Sequence, residues 1–351
     1  MLPSGNGGGR IEDHGGSLGR ARALFPEAPL PLLDLSTGIN PHSYPLFDLP
    51  ATALTRLPEE ARARDLAAAA ARAYGAPSAD HVVSAAGTQI LLPQIYSLIA
   101  PGRAAILGPT YAEHVRAASL CGHNASEVDE FGALAAADLA IVVNPNNPDG
   151  RIVSRSALLD LAAELRRKGG LLVVDEAFMD VGPQAQSVCR DVAEGGIVVL
   201  RSFGKFFGLA GVRLGFAVAS PHIVRRVDAE FGPWAVSGPA LEYGIRALGD
   251  TAWIEGMRAF LGGEAARLDA LLQACGMPAD GGTSLFRHVT HPEAQRMFTS
   301  LGRQGIFVRS FADRPNVLRF GLPGETDWPR LTEALADRLA PQRDRRAGAS
   351  R

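Results

Sequence analysis

A chain of 351 residues is long enough for two domains or for one large domain with a satellite, and 46% hydrophobic residues suit a globular enzyme. The formal net charge of −2 gives no case for nucleic acid or an anionic membrane surface. Cys121, Cys189 and Cys275 are scattered without metal-ligand spacing, so no metal site is expected, and the odd, unpaired count points to a reducing compartment, the cytoplasm by default.

Residues 1–13 are glycine-rich and lack the apolar core of a signal peptide, and residues 342–351 are polar and basic; both are expected to be disordered ends. Residues 14–45 form an N-terminal segment expected to join a smaller domain and the active site. Six short apolar runs follow: HVVSAAG, RAAILGP, LAIVVNP, LLVVDEA, GIVVLRS and LGFAVAS. Their near-continuous apolar character suits strands buried on both faces. Between most of them lie the helical patterns EEARARDLAAAAARAYG, TQILLPQIYSLIA and SRSALLDLAAELRRKGG. The last opens on Ser154 in capping position and closes in basic residues and glycine. This alternation predicts an α/β large domain with a mainly parallel sheet over residues 46–235, its last two strands joined by a loop. From 236 to 341 a long helical stretch followed by shorter strands and helices predicts a smaller α+β domain. No apolar run approaches the roughly 20 residues that span a bilayer.

In open α/β sheets, ligands bind beyond the carboxyl ends of the strands. Gly87, Thr88 and Gln89 follow the first run and open a helix, whose free N–H groups suit an anion. Tyr111 lies at the next strand-to-helix turn, where it can stack on a planar ligand. NPNNPDG, residues 144–150, is a stiff loop in which Asn147 is best placed to donate to a ligand oxygen; a plain chain reversal is the competing account. Asp175 follows four apolar residues, where a carboxylate needs a cation, either in a ligand or in a structural salt bridge.

Lys205 completes the series. Of the 35 basic residues only Lys168 and Lys205 are lysine, and Lys168 reads as a solvated charge at a helix end. Lys205 sits in LRSFGKFFGLAGVRLGF among aromatic residues and glycines. A guanidinium can neither lose its proton at working pH nor form an imine, whereas a desolvated lysine amine can do both; a surface lysine that snorkels with its stem on apolar neighbours is the competing account. Ser202, three residues before it, and Arg213, eight after, can hold a phosphate together with the Gly87 helix start. A planar pyridine bearing a phosphate, a phenolic oxygen and a ring nitrogen to be kept protonated by Asp175 uses all of these groups, and that molecule is pyridoxal phosphate.

The order Gly87-Thr88-Gln89, Tyr111, Asn147, Asp175 in DEAF, Ser202, Lys205 and Arg213 resembles the fold-type I pyridoxal-phosphate enzymes of the aspartate aminotransferase superfamily. The resemblance covers most of the large domain and implies a seven-stranded, mainly parallel sheet and a homodimer. Within the superfamily the chain is similar to two sibling groups, the histidinol-phosphate aminotransferases and the L-threonine-O-3-phosphate decarboxylases of cobalamin biosynthesis. DHGG with His14, LDLSTGINPHSYP, Phe178 in place of the tyrosine of DEAY, PTYAEH, and FGPWAVS with Trp234 favour the decarboxylases. Leu57 stands where the aminotransferases carry a tyrosine lent across the dimer. The resemblance implies a small phosphorylated amino acid as substrate, with Arg319 on its carboxylate. Arg309, His14, Ser36 and Asn40 are the other candidates to grip its two anions, and which arginine meets which anion stays open. Decarboxylation of threonine phosphate, transamination of a histidinol-phosphate-like substrate, and a non-catalytic cofactor sensor are the three functions to be weighed. GKFFGLAG lacks the Walker spacing, and His288 and His291 are expected at the surface.

Overall fold

The computed structural model describes residues 14–336, so the expectations for 1–13 and 342–351 lie outside the described residues. Among the described residues two compact units are distinguished: 42–260, and a second made of 14–41 with 261–336. The division falls inside the helix Thr251–Ala274 rather than at 235/236. A boundary within a helix leaves no linker composition to read.

The second unit opens with the helix Leu18–Leu24, followed by strand β1 (Leu33–Leu35). The first unit is built on β2 (Val82–Ala85), β3 (Arg103–Leu107), β4 (Asn124–Val128), β5 (Leu139–Val143), β6 (Leu171–Asp175), β7 (Ile197–Ser202) and β8 (Gly215–Ala219). These form one seven-stranded sheet in the order β2-β8-β7-β6-β5-β3-β4. It is parallel from β7 to β4, while β8 runs antiparallel to both β7 and β2. Every residue of β5, β6 and β8 is buried, as their unbroken apolar sequences require of strands covered on both faces. β4 is one of the two edge strands, and none of its residues is buried, so its sequence NASEV carries no apolar period. Helices such as Thr88–Tyr96, Glu113–Leu120 and Pro221–Phe231 set Leu91, Ala117 and Val227 into the core on the sheet. Ser154 caps the helix Arg155–Arg167, its side chain accepting from the Ala157 N–H at 3.3 Å.

Sheet register decides what meets at one end. Gly215 is the Cα partner of both Ala85 and Ser202, so the end of β2, the start of β8 and the end of β7 lie side by side. A Cβ on Gly215 would stand 2.5 Å from the Thr88 nitrogen, so only glycine lets the first turn of the helix Thr88–Tyr96 approach this row.

The second unit adds β9 (Gly281–Thr283), β10 (Phe286–Thr290), β11 (Ile306–Phe311) and β12 (Arg314–Gly321). They form a sheet of order β1-β11-β12-β10-β9, parallel between β1 and β11 and antiparallel elsewhere. Within it His288 is buried, with Nδ1 2.5 Å from Asp280 Oδ1, which corrects the expected surface position. The carboxylate that makes this burial tolerable lies eight residues away in a stretch with no recognisable pattern. His291 is half-buried.

Beneath the end of β6 lies an ion cluster. Arg201 is 1% exposed, with Nη1 3.0 Å from Glu176 Oε2, Nη2 2.8 Å from Asp180 Oδ1, and its guanidinium 4.2 Å from the Tyr74 ring centre. Burial opposes the Arg201 charge, but Asp180 and Glu176 outweigh it and hold the proton more tightly than usual. Burial likewise pushes the Glu176 carboxyl up against the pull of Arg201. Glu176 also accepts from the Val188 N–H and from the Ser187 hydroxyl, so the cluster ties the segment after Asp175 to the segment before β7. Removing the cation strands two buried carboxylates. Arg201→Met is therefore expected to destabilise the protein by about 3–5 kcal/mol, read as a shift in the urea unfolding midpoint; an unchanged midpoint would contradict this role.

Candidate active site

Lys205 lies on the short helix Phe203–Phe206 that directly follows β7. Its neighbours anchor that turn. Phe203 stacks on Phe207 at 4.5 Å, Phe207 stacks on Trp253 at 5.5 Å, and Phe206 meets Trp253 edge-on at 5.4 Å. All three phenylalanines are buried, whereas Lys205 is half-buried, its Nζ 5.8 Å from the centre of the Phe178 ring. The aromatic residues around the lysine in sequence are thus its scaffold, and Phe178 of DEAF is a ring beside its amine.

Asp175 ends β6 at 7% exposure. Its Oδ1 accepts from the Ala177 N–H at 2.9 Å, and Oδ2 lies 3.1 Å from Nε2 of the fully buried His114. No arginine or lysine is paired with it among the described residues; its one side-chain partner is the His114 ring. A carboxylate held by one amide and one imidazole suits a protonated ring nitrogen. His114 is a residue that sequence reasoning missed. It stands one helical turn after Tyr111, and its ring meets the Tyr111 ring edge-on at 5.7 Å, so the stacking candidate and the carboxylate share one support.

Tyr111 is further held by Gln89. The Tyr111 hydroxyl donates to Gln89 Oε1 at 3.3 Å, and Gln89 Nε2 donates to Glu113 Oε2 at 2.8 Å. The expected role of Gln89 therefore divides: its backbone belongs to the helix start, while its carboxamide props the tyrosine.

At that helix start Gly87 adopts φ +94, and a Cβ there would stand 2.7 Å from the Arg213 guanidinium. Arg213 itself adopts φ +55 and is held by an Nη1 hydrogen bond to the Ala210 carbonyl at 3.0 Å. The helix N-terminus, the Arg213 guanidinium and Ser202 at the end of β7 thus gather around a cradle that a side chain at position 87 would fill. Their charge and donors fit a phosphate. In the NPNNPDG loop Asn144 bonds Val153 through both its amide and its oxygen, and Asn146 bonds Pro109, Thr110 and Asp149. Those two buried side chains shape the loop and leave the half-buried Asn147 at its turn. Cradle, stacking ring, buried carboxylate and half-buried lysine all lie in the first unit, and together they fit pyridoxal phosphate.

The second unit carries its own cluster. Arg309 and Arg319 are Cα partners across the β11–β12 hairpin, on one face of the sheet. Like charges in directly opposed positions repel. Arg319 is 6% exposed, and burial, followed by the nearby Arg309 charge, lowers its affinity for its proton. Its Nη2 donates to the Ser36 carbonyl at 2.7 Å, and its guanidinium lies 5.1 Å from the Phe286 ring centre. The Ser36 hydroxyl in turn donates to Asp34 Oδ1 at 2.6 Å and accepts from the Gly16 N–H at 2.7 Å. A Cβ on Gly15 would stand 2.4 Å from the Ser36 carbonyl oxygen, so the glycines after His14 are what let that segment lie on Ser36. Asn40 is buried and His14 half-buried in the same unit. Two opposed guanidiniums, that of Arg319 buried and that of Arg309 half-buried, suit an anion.

The chain was compared with known proteins. The family model for aminotransferase class I and II matches residues 63–336. The threonine-phosphate decarboxylase of Pseudomonas aeruginosa is 40% identical over 328 residues, covering 92% of this chain and 97% of that protein. A protein of the same name from Sinorhizobium sp is 41% identical over the same shares. The crystal structure of L-threonine-O-3-phosphate decarboxylase from Porphyromonas gingivalis superposes with a TM-score of 0.71, covering 88% of this chain and 99% of that one, and at 20% identity it shows the shared fold.

Gly87→Ala tests the cradle. A side chain at φ +94 costs about 1–3 kcal/mol and displaces the Arg213 guanidinium, so the affinity for pyridoxal phosphate is expected to fall by on the order of tenfold or more. Titration of the cofactor into the purified protein measures it, and an unchanged affinity would contradict the assignment.

Proposed function

The chain belongs to the aminotransferase class I and II family, and we propose that within it the protein is a threonine-phosphate decarboxylase. It is a pyridoxal-phosphate enzyme that converts L-threonine O-3-phosphate to (R)-1-amino-2-propanol O-2-phosphate and CO2 for cobalamin biosynthesis. The observation that carries this reading is identity of 40% and 41% to two proteins of that name along nearly their whole length.

When bound, the cofactor supplies an electron sink for the pair left at the substrate Cα. The protein supplies the rest. Lys205 holds the cofactor and moves protons at Cα. Asp175 keeps a proton on the ring nitrogen. Gly87, Thr88, Ser202 and Arg213 hold the phosphate, Tyr111 stacks on the ring, and Asn147 donates to the ring oxygen. Phe178 has no hydroxyl to add to that last contact. Arg309 and Arg319, with His14 and Asn40, take the substrate's carboxylate and distal phosphate; Ser36, expected among them, is fully buried with its N–H and hydroxyl both donating to Asp34, so it supports Arg319 through its carbonyl instead. Binding energy drawn from the phosphate, remote from the reacting carbon, sets which Cα bond lies perpendicular to the ring, and here it is Cα–COO⁻.

Two coarser features complete the reading. Leu46, Leu54, Leu57 and Trp234 of the first unit are 74%, 73%, 63% and 58% exposed. Exposed large apolar side chains of this kind are in keeping with a homodimer. Among the described residues no helix is long and apolar enough to cross a membrane. None of Cys121, Cys189 and Cys275 is in a disulfide, which fits a reducing compartment such as the cytoplasm.

The test is incubation of the cofactor-loaded protein with L-threonine phosphate and no keto acid, with products followed by mass spectrometry. CO2 and aminopropanol phosphate are expected in catalytic amounts; a keto product that forms only when a keto acid is supplied would replace the reading with an aminotransferase. Arg309→Ala and Arg319→Ala should each lower kcat/KM by on the order of 10–100-fold, the loss of one charge-assisted contact to an anion. Wild-type kcat/KM in either variant would remove that residue from the substrate site.

A further inference from the structure

The cluster behind Asp175 extends one residue beyond what the chemistry above uses. Tyr96 Oη lies 2.6 Å from His114 Nδ1, and His114 Nε2 lies 3.1 Å from Asp175 Oδ2. Tyr96 and His114 are fully buried and Asp175 nearly so. Tyr96 ends the helix Thr88–Tyr96, whose first turn forms the phosphate cradle, so one helix reaches the cofactor pocket at its N-terminus and this chain of groups at its C-terminus.

Donor counting leaves one arrangement. An ionised carboxylate only accepts, so His114 Nε2 carries a hydrogen towards Asp175. The sole polar neighbour of the Tyr96 hydroxyl among the described residues is His114 Nδ1. Were Nδ1 also protonated, the phenol would accept from it and its own hydrogen would have no acceptor in a fully buried place, while an imidazolium would sit out of water. With Nδ1 bare, the phenol donates and every group is satisfied. Burial, with the Asp175 charge adding to it, pushes the Tyr96 phenol well above its ordinary range, so the hydroxyl keeps the hydrogen it donates.

We propose that Tyr96 is a positioning residue that holds His114 as the neutral Nε2–H tautomer, so that Asp175 meets a dipole rather than a full positive charge. A cation at His114 would compete with the cofactor's ring nitrogen for the Asp175 charge, and Tyr96 prevents it. The tautomer is a property of the chain itself, and its consequence for the cofactor rests on the function proposed above.

The test uses full-length protein with 15N-labelled histidine, and the His114 signals are identified by their loss in His114→Asn. Without cofactor, the wild type is expected to show one bare, hydrogen-bonded ring nitrogen and one protonated one at His114 between pH 6 and 8. Tyr96→Phe should abolish that single tautomer while melting cooperatively. In the cofactor-loaded variant kcat should fall by on the order of tenfold with KM for L-threonine phosphate unchanged. A protonated Nδ1 in the wild type, or a His114 spectrum unaltered in Tyr96→Phe, would overturn the proposal. If Tyr96→Phe does not fold, the wild-type spectrum decides alone. A wild-type His114 that shows the expected tautomer in a protein that releases no CO2 separates this inference from the proposed reaction.

Discussion

A carboxylate at the end of a strand buried on both faces must either find a cation or give up its charge, and Asp175 is such a carboxylate. Its neighbours within the chain answer only half of that demand. One amide and one imidazole hold it, while the nearest guanidinium network, around Arg201, is taken up by Glu176 and Asp180. The strand therefore ends in a carboxylate that a cationic group of a ligand would complement. Around the same sheet end stand a lysine anchored by buried phenylalanines and a cradle of positive charge kept open by Gly87. A single bound molecule with a ring cation, a carbonyl carbon and a phosphate would engage all three.

The second unit applies the same reasoning with the sign reversed. Arg309 and Arg319 face each other across a hairpin, and Arg319 is desolvated as well. A fold keeps such a pair where an anion relieves the repulsion. The support for Arg319 comes from the N-terminal segment: the Ser36 carbonyl accepts from its Nη2, the Ser36 hydroxyl accepts from the Gly16 N–H, and Gly15 leaves room for the close approach. The HGG and S-x-x-INP segments, far from the arginines in sequence, are in this way parts of one cluster.

Much of this could be read before any coordinates. Strands buried on both faces have unmistakable sequences, and six of the seven strands of the large sheet were legible for that reason. The seventh, β4, was not, because an edge strand with no buried residue has no apolar signature. Lys205 was legible because this chain otherwise uses arginine nearly throughout. Asp175 stood out as a charge after four apolar residues. His114 and Tyr96 did not, since a histidine and a tyrosine 18 residues apart gain meaning only once two helices set them 2.6 Å from each other. The same holds for Gln89, whose side chain supports Tyr111, and for His288, whose burial depends on Asp280. Sequence pattern reports burial and local geometry well, but it does not report which polar groups from separate elements satisfy one another.

The central claim is that the Cα–COO⁻ bond, and not Cα–H, is the bond broken. Supplying L-threonine phosphate deuterated at Cα to the loaded enzyme in ordinary water, and weighing the aminopropanol phosphate formed, examines that bond directly. Retention of the deuterium, with one solvent hydrogen added at the same carbon, is the predicted result. Washout of deuterium from the substrate without formation of the amine would mean that Cα–H is the bond aligned for cleavage, and would contradict the account.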